Sequence, residues 1–181
     1  MTTSPTPSTP APAASASAGS SAPDGPAPEP APPRLEFLAS LAVEVEAPVE
    51  VGRTAAGQRR VIPIRGGTVQ GPELNGRILP AGADFQLITS PTRSDLDARY
   101  VVETDDGERL FVMNAAYRTG SAEDIAALVR GEQVPAERIY FRCSPRFEVA
   151  GQRWAWLEST VVIGSGRREP DRVLIDLWRV C

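Results

Sequence analysis

An antiparallel β-barrel of about eight strands, all-β apart from one short helix, is the fold class that this sequence predicts, and three observations predict it. Apolar residues recur with period two from Leu35 to Val45. Short β-rich segments then follow one another at intervals of about 8 to 12 residues, with turn residues between them. The run from Gly66 to Phe85, GGTVQGPELNGRILPAGADF, sets five glycines and two prolines between short apolar pieces, which reads as strand, sharp turn, strand, sharp turn, strand. Closure into a barrel is preferred to a sandwich because about eight strands leave an interior just wide enough for side chains or one small ligand.

The first 33 residues stand apart. They hold ten of the chain's 18 prolines, no aromatic residue, and only Asp24 and Glu29 as charges. Such a segment buries too little apolar surface to offset its ordering entropy, so residues 1–33 read as a disordered, partly polyproline-II tail ahead of a barrel domain over 34–181. No basic stretch followed by an apolar run precedes Arg34, and no stretch approaches the ~20 apolar residues of a membrane helix. The expectation is a cytoplasmic protein that meets neither membrane nor nucleic acid.

Within the barrel, Leu35, Phe37, Ala39, Leu41, Val43 and Val45 occupy alternate positions of the first strand, with Glu36, Ser40 and Glu44 between them. Residues 47–58 read as a loop. A second strand begins near Arg59, where Pro63 marks an edge or a bulge because it removes a ladder donor. Short strands follow near Gly76–Leu79 and Ala83–Thr89. Leu96–Thr104 and Arg109–Tyr117 form a hairpin about Asp105-Asp106-Gly107. Ser121–Arg130 is the one helix: Ser121 caps it, Glu123 and Asp124 suit its positive end, Ile125, Leu128 and Val129 form its apolar side, and Gly131 ends it. Strands near Ile139–Cys143 and Arg146–Val149, interrupted by Pro145, then one over Trp156–Gly164 and a last over Arg172–Val180, complete the set.

Composition excludes several chemistries. The 181 residues carry a net charge of -4, all 19 basic residues are Arg, and there is no His and no Lys. Without a basic excess there is no footprint for nucleic acid. Without His there is no Ser-His-Asp or Cys-His pair, no 2-His-1-carboxylate iron site and no His-bearing zinc site. Without Lys there is no Schiff base and no P-loop Lys. Gly66 and Gly67 belong to no G-x-G-x-x-G motif, so no cofactor is expected. Chemistry, if present, falls to Asp, Glu, Arg, Tyr, Ser, Thr or Cys143, which means proton transfer and electrostatic stabilisation. No disulfide between Cys143 and Cys181 is expected in a cytoplasmic chain.

Five motifs, in order and spacing, carry a resemblance: Gly66-Gly67-Thr68-Val69-Gln70-Gly71-Pro72, Asn75-Gly76 to Gly82-Ala83-Asp84-Phe85, Leu96-Asp97-Ala98-Arg99-Tyr100, Asp105-Asp106-Gly107, and Tyr140 to Glu148 (YFRCSPRFE). Over residues 34–180 the chain resembles domain-of-unknown-function family 3237. The resemblance implies a small lipocalin-like or avidin-like barrel, and it implies kinship with a few cofactor-free cyclases that add an oxygen nucleophile to an activated alkene. Ala81, Phe85 and Cys143 depart from the family pattern, which usually has Gly, Trp and often Thr at those places.

The candidate site follows. Asp84, entering a strand after a turn, is either a desolvated general acid or base or a solvated turn residue. Arg99 is either an inward guanidinium that needs a carboxylate or an anionic ligand oxygen, or an outward-facing surface Arg. Asp84 and Arg99 are the candidate catalytic pair. Tyr100, Tyr117, Arg142, Glu148 and Trp156 are the candidate ligand contacts, although Arg142 and Glu148 also suit a structural ion pair and the aromatics suit the barrel wall. Three readings are compatible with this: a cofactor-independent cyclase or isomerase on a small aromatic or polyketide-like molecule, a non-catalytic carrier of a small apolar ligand, and a scaffold with a packed interior and no ligand.

Overall fold

The computed structural model describes Met1 and residues 29–181, so the expected disordered tail falls almost wholly outside the described residues; residues 29–34 carry no helix or strand. The compact unit runs from Pro33 to Cys181. Its elements are β1 (Leu35–Val45), β2 (Val49–Thr54), β3 (Gly57–Gln70), β4 (Gly76–Ile78), β5 (Ala83–Ser90), β6 (Arg93–Thr104), β7 (Arg109–Thr119), α1 (Ala122–Val129), β8 (Tyr140–Val149), β9 (Val162–Arg168) and β10 (Arg172–Val180).

These strands close into an antiparallel barrel of eight staves. β1 pairs with β10 on one side and with β3 on the other, which shuts the sheet. One stave is divided: β4 covers the Gly67–Val69 part of β3, β5 covers its Gln58–Pro63 part, and both lean on β6. β2 takes over from β1 along β3, so residues 49–54 are a strand and not the loop that their glycine content suggests. At that changeover the register of β1 shifts, and the Pro63 carbonyl accepts from the Glu46 amide. The proline therefore sits at an irregularity, as its missing N–H requires.

The coiling of β3 depends on glycine. Gly67 has φ +145°, and a Cβ there would lie 2.0 Å from the Ala42 carbonyl oxygen on the adjacent strand. Only a residue without a side chain lets the two backbones pair at that point. Gly107, at φ +84°, supplies the left-handed position of the β6–β7 hairpin.

Three further expectations need correction. A bulge between Phe37 and Ala39 inverts the first turn of β1, so Leu38 is buried while Leu35 and Phe37 face out, Phe37 resting edge-on against Trp178. β8 runs unbroken through Pro145, which stays opposite Asn114 of β7; the β8–β9 ladder covers only Arg142 and Cys143, so a residue without an N–H fits there. Residues 155–159 form a short 3-10 turn rather than a strand, and Leu157 plugs the core with it.

The core has two halves. Leu38, Val69, Leu74, Ile78, Val102, Leu110, Val112, Phe147, Trp154, Leu157 and Leu177 are buried together in one well-filled cluster that continues to Leu41, Ile64 and Leu96. Toward its other end the inward residues of β5 and β7 include Asp84, Gln86, Asn114 and Arg118, and a narrow cavity lies among them. Helix α1 lies at that end. Its N-cap is Ser121, whose hydroxyl accepts from the Asp124 amide at 3.1 Å, and it buries Ile125 and Leu128. Arg60 Nη1 donates to the carbonyl of Val129 in its last turn. Among the described residues no helix is long and apolar enough to cross a membrane.

Candidate active site

Strand periodicity places the site. Asp84 and Gln86 alternate inward on β5, Leu96, Ala98 and Tyr100 on β6, and Asn114, Ala116 and Arg118 on β7. With Ile62 and Ile64 of β3, Val43 and Val45 of β1, Phe141 of β8, Arg168 of β9 and Val173 and Ile175 of β10, they line a narrow cavity of about 40 Å³. That volume has room for a few water molecules, so a larger ligand has to part the walls that line it. The walls are mainly aliphatic, and the polar groups gather toward the α1 end.

Asp84 stands opposite Ile62 of β3 and Ala98 of β6. Gln86 Nε2 donates to its Oδ2 at 2.5 Å, while Oδ1 is shut off from solvent without any hydrogen-bond partner. Burial pushes the carboxyl above the usual aspartate range; the bond from Gln86 and the nearby Arg118 guanidinium oppose this without cancelling it. Gln86 in turn accepts from Arg60 Nε at 3.0 Å. Arg60 is itself buried, its Glu50 partner lying 3.9 Å away at the rim, and desolvation lowers its pKa.

Arg118 is the least accommodated group in the chamber. Its residue is 1% exposed, and Nε and Nη2 have no hydrogen-bond partner among the described residues. Burial, reinforced by repulsion from Arg60, pulls its pKa down to about 10, with Asp84 acting in the opposite sense. The Tyr100 hydroxyl, the Asn114 Oδ1 and the Ser94 hydroxyl are buried and unpartnered as well. Desolvation holds the Tyr100 phenol well above its ordinary pKa. It also raises the Cys143 thiol to about 11, which leaves that cysteine protonated and inert as a nucleophile near neutral pH.

Of the residues singled out from the sequence, Asp84 and Tyr100 come together in the cavity. The others do not. Arg99 faces outward, half exposed, and its guanidinium grips Asp97 at 3.1 Å, so the expected inward pairing with Asp84 does not form. Tyr117 is 55% exposed beneath the Arg93 guanidinium. Arg142 lies on the outer surface over the Tyr140 ring. Glu148 projects outward from β8. Trp156 sits half-buried in the 3-10 turn with Arg179 over its ring, away from the cavity. Phe85 is also on the outside, so its departure from the family pattern leaves the pocket wall unchanged, whereas Cys143 does point in.

The sequence reading missed Arg60, Gln86, Asn114, Arg118 and Arg168. A signal for three of them was present: Arg60 is in phase with Ile62 and Ile64, and Asn114 and Arg118 are in phase with Val112 and Ala116. Among the described residues no group of three or more acidic, Cys or His side chains could hold a metal ion. The arrangement can therefore carry a proton at Asp84 beside an apolar surface.

Comparison with known proteins agrees with the architecture. A UPF0311 protein of Rhodopseudomonas palustris is 40% identical over 150 residues, covering 82% of this chain and 98% of that one. A UPF0311 protein of Bradyrhizobium diazoefficiens is 40% identical over 145 residues, covering 80% and 95%. Among solved structures, the conserved protein of unknown function from R. palustris aligns with TM-score 0.81 at 38% identity, over 84% of this chain and all of that one. A β-barrel-like protein from Acinetobacter baumannii aligns with TM-score 0.74 at 40% identity, over 84% and 99%. At the level of fold alone, an enzyme from Penicillium herquei aligns with TM-score 0.63 at 18% identity, over 86% and 99%. The family described as protein of unknown function (DUF3237) matches residues 33–180, and the chain belongs to that family.

Proposed function

We propose that the barrel interior binds a small, largely apolar molecule of aromatic or polyketide-like shape, and that Asp84 moves a proton between two of its atoms without a cofactor, giving an isomerase or cyclase. The observation that carries this reading is the Asp84 carboxyl, which keeps one oxygen without a hydrogen-bond partner in an interior cavity walled mainly by aliphatic side chains. Burial makes the carboxyl a stronger base than a solvated aspartate, because the charged form is poorly solvated there. In the reaction, Asp84 takes a proton from a C–H or O–H acid of the ligand and returns it at a second atom. Neither electrons nor a co-reactant are needed. An enzyme among the fold neighbours agrees with a reaction chamber in this architecture.

The test uses a generic proton-transfer probe, 5-nitrobenzisoxazole, a flat molecule whose C3 proton is removed by a base as its N–O bond breaks to give a coloured cyanophenolate. The wild-type chain is expected to accelerate this elimination, and Asp84→Asn to lower the rate by roughly 10²-fold or to the buffer rate. No acceleration by wild type, or full activity in Asp84→Asn, overturns the proton-transfer role. Binding of the probe without turnover leaves a carrier of small apolar ligands.

A further inference from the structure

We propose that the guanidinium of Arg118 is a head-group site, and that the ligand selected by the chamber is a small organic monoanion: an aromatic or branched carboxylate, or an enolate or phenolate of similar shape. The inference rests on reading the interior as a ligand chamber and adds what that chamber recognises.

The argument begins with the donors. Arg60, Arg118 and Arg168 all reach the α1 end of the interior. Two of them are committed. Arg60 gives Nε to Gln86 Oε1 at 3.0 Å and Nη1 to the Val129 carbonyl at 3.2 Å. Arg168 gives Nη1 to the Arg172 carbonyl at 2.9 Å and Nη2 to the Pro170 carbonyl at 3.1 Å, tying down the β9–β10 turn. Arg118 alone keeps Nε and Nη2 unpartnered, and these two nitrogens form one edge of the guanidinium. That edge is the fork which matches the two oxygens of a carboxylate, or an oxyanion placed between its donors.

The charges lead to the same conclusion. Asp84 is the carboxylate lining the cavity; it makes no hydrogen bond to Arg118, and Oδ2 is taken by Gln86. Arg60 has Glu50 and Arg168 has Asp171 as a further carboxylate, whereas Arg118 has Asp84 alone, whose own burial favours its neutral form. A guanidinium buried without a counter-charge is costly, and an anion arriving from outside relieves that cost. One free fork suits one negative charge. Leu96, Ala98, Ile62, Ile175 and Phe141 on the remaining walls require the rest of the ligand to be apolar, which excludes a bare inorganic ion as the natural occupant.

Matched probes test this on the full chain by calorimetry: 2-naphthoate, and the nearly isosteric neutral 2-naphthamide. Wild type is expected to bind the naphthoate at least about tenfold more tightly than the amide. Arg118→Met is expected to abolish that preference by weakening the naphthoate alone, and Arg118→Lys, which keeps a charge but loses the fork, to reduce it by about threefold or more. Equal affinities in wild type, or a preference unchanged in both variants, overturn the proposal. Asp84→Asn separates this inference from the proton-transfer reading. A naphthoate preference preserved in that variant, with no elimination of 5-nitrobenzisoxazole by wild type, removes the reaction and keeps the anion site. Failure of wild type to bind either naphthyl probe removes the anion site.

Discussion

Gln86 Nε2 donates to Asp84 Oδ2 across 2.5 Å, from two positions further along the same strand, and thereby holds the carboxyl against an apolar wall. One hydrogen bond does not replace the lost water, so the folded chain keeps the proton on Asp84 to higher pH than the unfolded chain, whose reference value is 3.8.

The sign of the pH effect follows from this. Because the folded value is the higher one, the folded state binds more protons between the two values. The favourable contribution of the protonated form is complete below the unfolded value and is lost as pH rises through the folded value. Asp84→Asn removes that loss. Its melting temperature is expected to lie close to that of wild type in acid and to exceed it increasingly toward neutral pH, by about 2–4 °C for each kcal/mol. Melting curves of both proteins across about pH 4 to 8 check this; parallel curves show that Asp84 is not desolvated in solution.

How far this site was legible in the sequence depends on one test, strand parity. Arg99 and Tyr100 are both candidate site residues by sequence, yet neighbours on a strand face opposite ways, and Tyr100 is the one that is buried. The same rule sets Tyr117 outside because Arg118 is inside, and sets Arg142 and Glu148 outside because Phe141, Cys143 and Phe147 are inside. The period-two pattern, the capped helix and the Asp-Asp-Gly hairpin were readable because their signals are local. The bulge at Phe37, the division of one stave into β4 and β5, and the closure of β1 on β10 were not. They are set by contacts between residues far apart, such as the Ser40 hydroxyl with the Asp176 carboxylate and Glu36 with Arg179, which no short stretch of sequence reveals.

Closure also makes the barrel sensitive at one backbone atom. Gly67→Ala places a Cβ against the Ala42 carbonyl oxygen, at a φ that side chains disfavour, so β1 and β3 must part where the sheet shuts. A loss of roughly 3 kcal/mol or more is expected, well above the typical cost of a single substitution. Gly107→Ala, in a hairpin with open space around it, should cost only about 1 kcal/mol. Urea midpoints of the two variants measure the difference, and equal midpoints show that the β1–β3 seam tolerates separation.

Tyr100 separates packing from recognition. Its ring is 1% exposed on β6, opposite Val112, and contributes to the core whether or not a ligand is bound. Its hydroxyl, by contrast, has no partner among the described residues. A buried donor left unpaired costs the fold its desolvation, so Tyr100→Phe is expected to raise stability, by about 1 kcal/mol. A ligand oxygen held in the chamber gives that hydroxyl its missing acceptor, at a net value of about 1 kcal/mol, or roughly fivefold in affinity. Tyr100→Phe should therefore keep or raise the urea midpoint of wild type while binding 2-naphthoate several-fold more weakly. An unchanged affinity places the bound oxygen out of reach of β6, and a large drop in stability assigns the hydroxyl a partner within the fold.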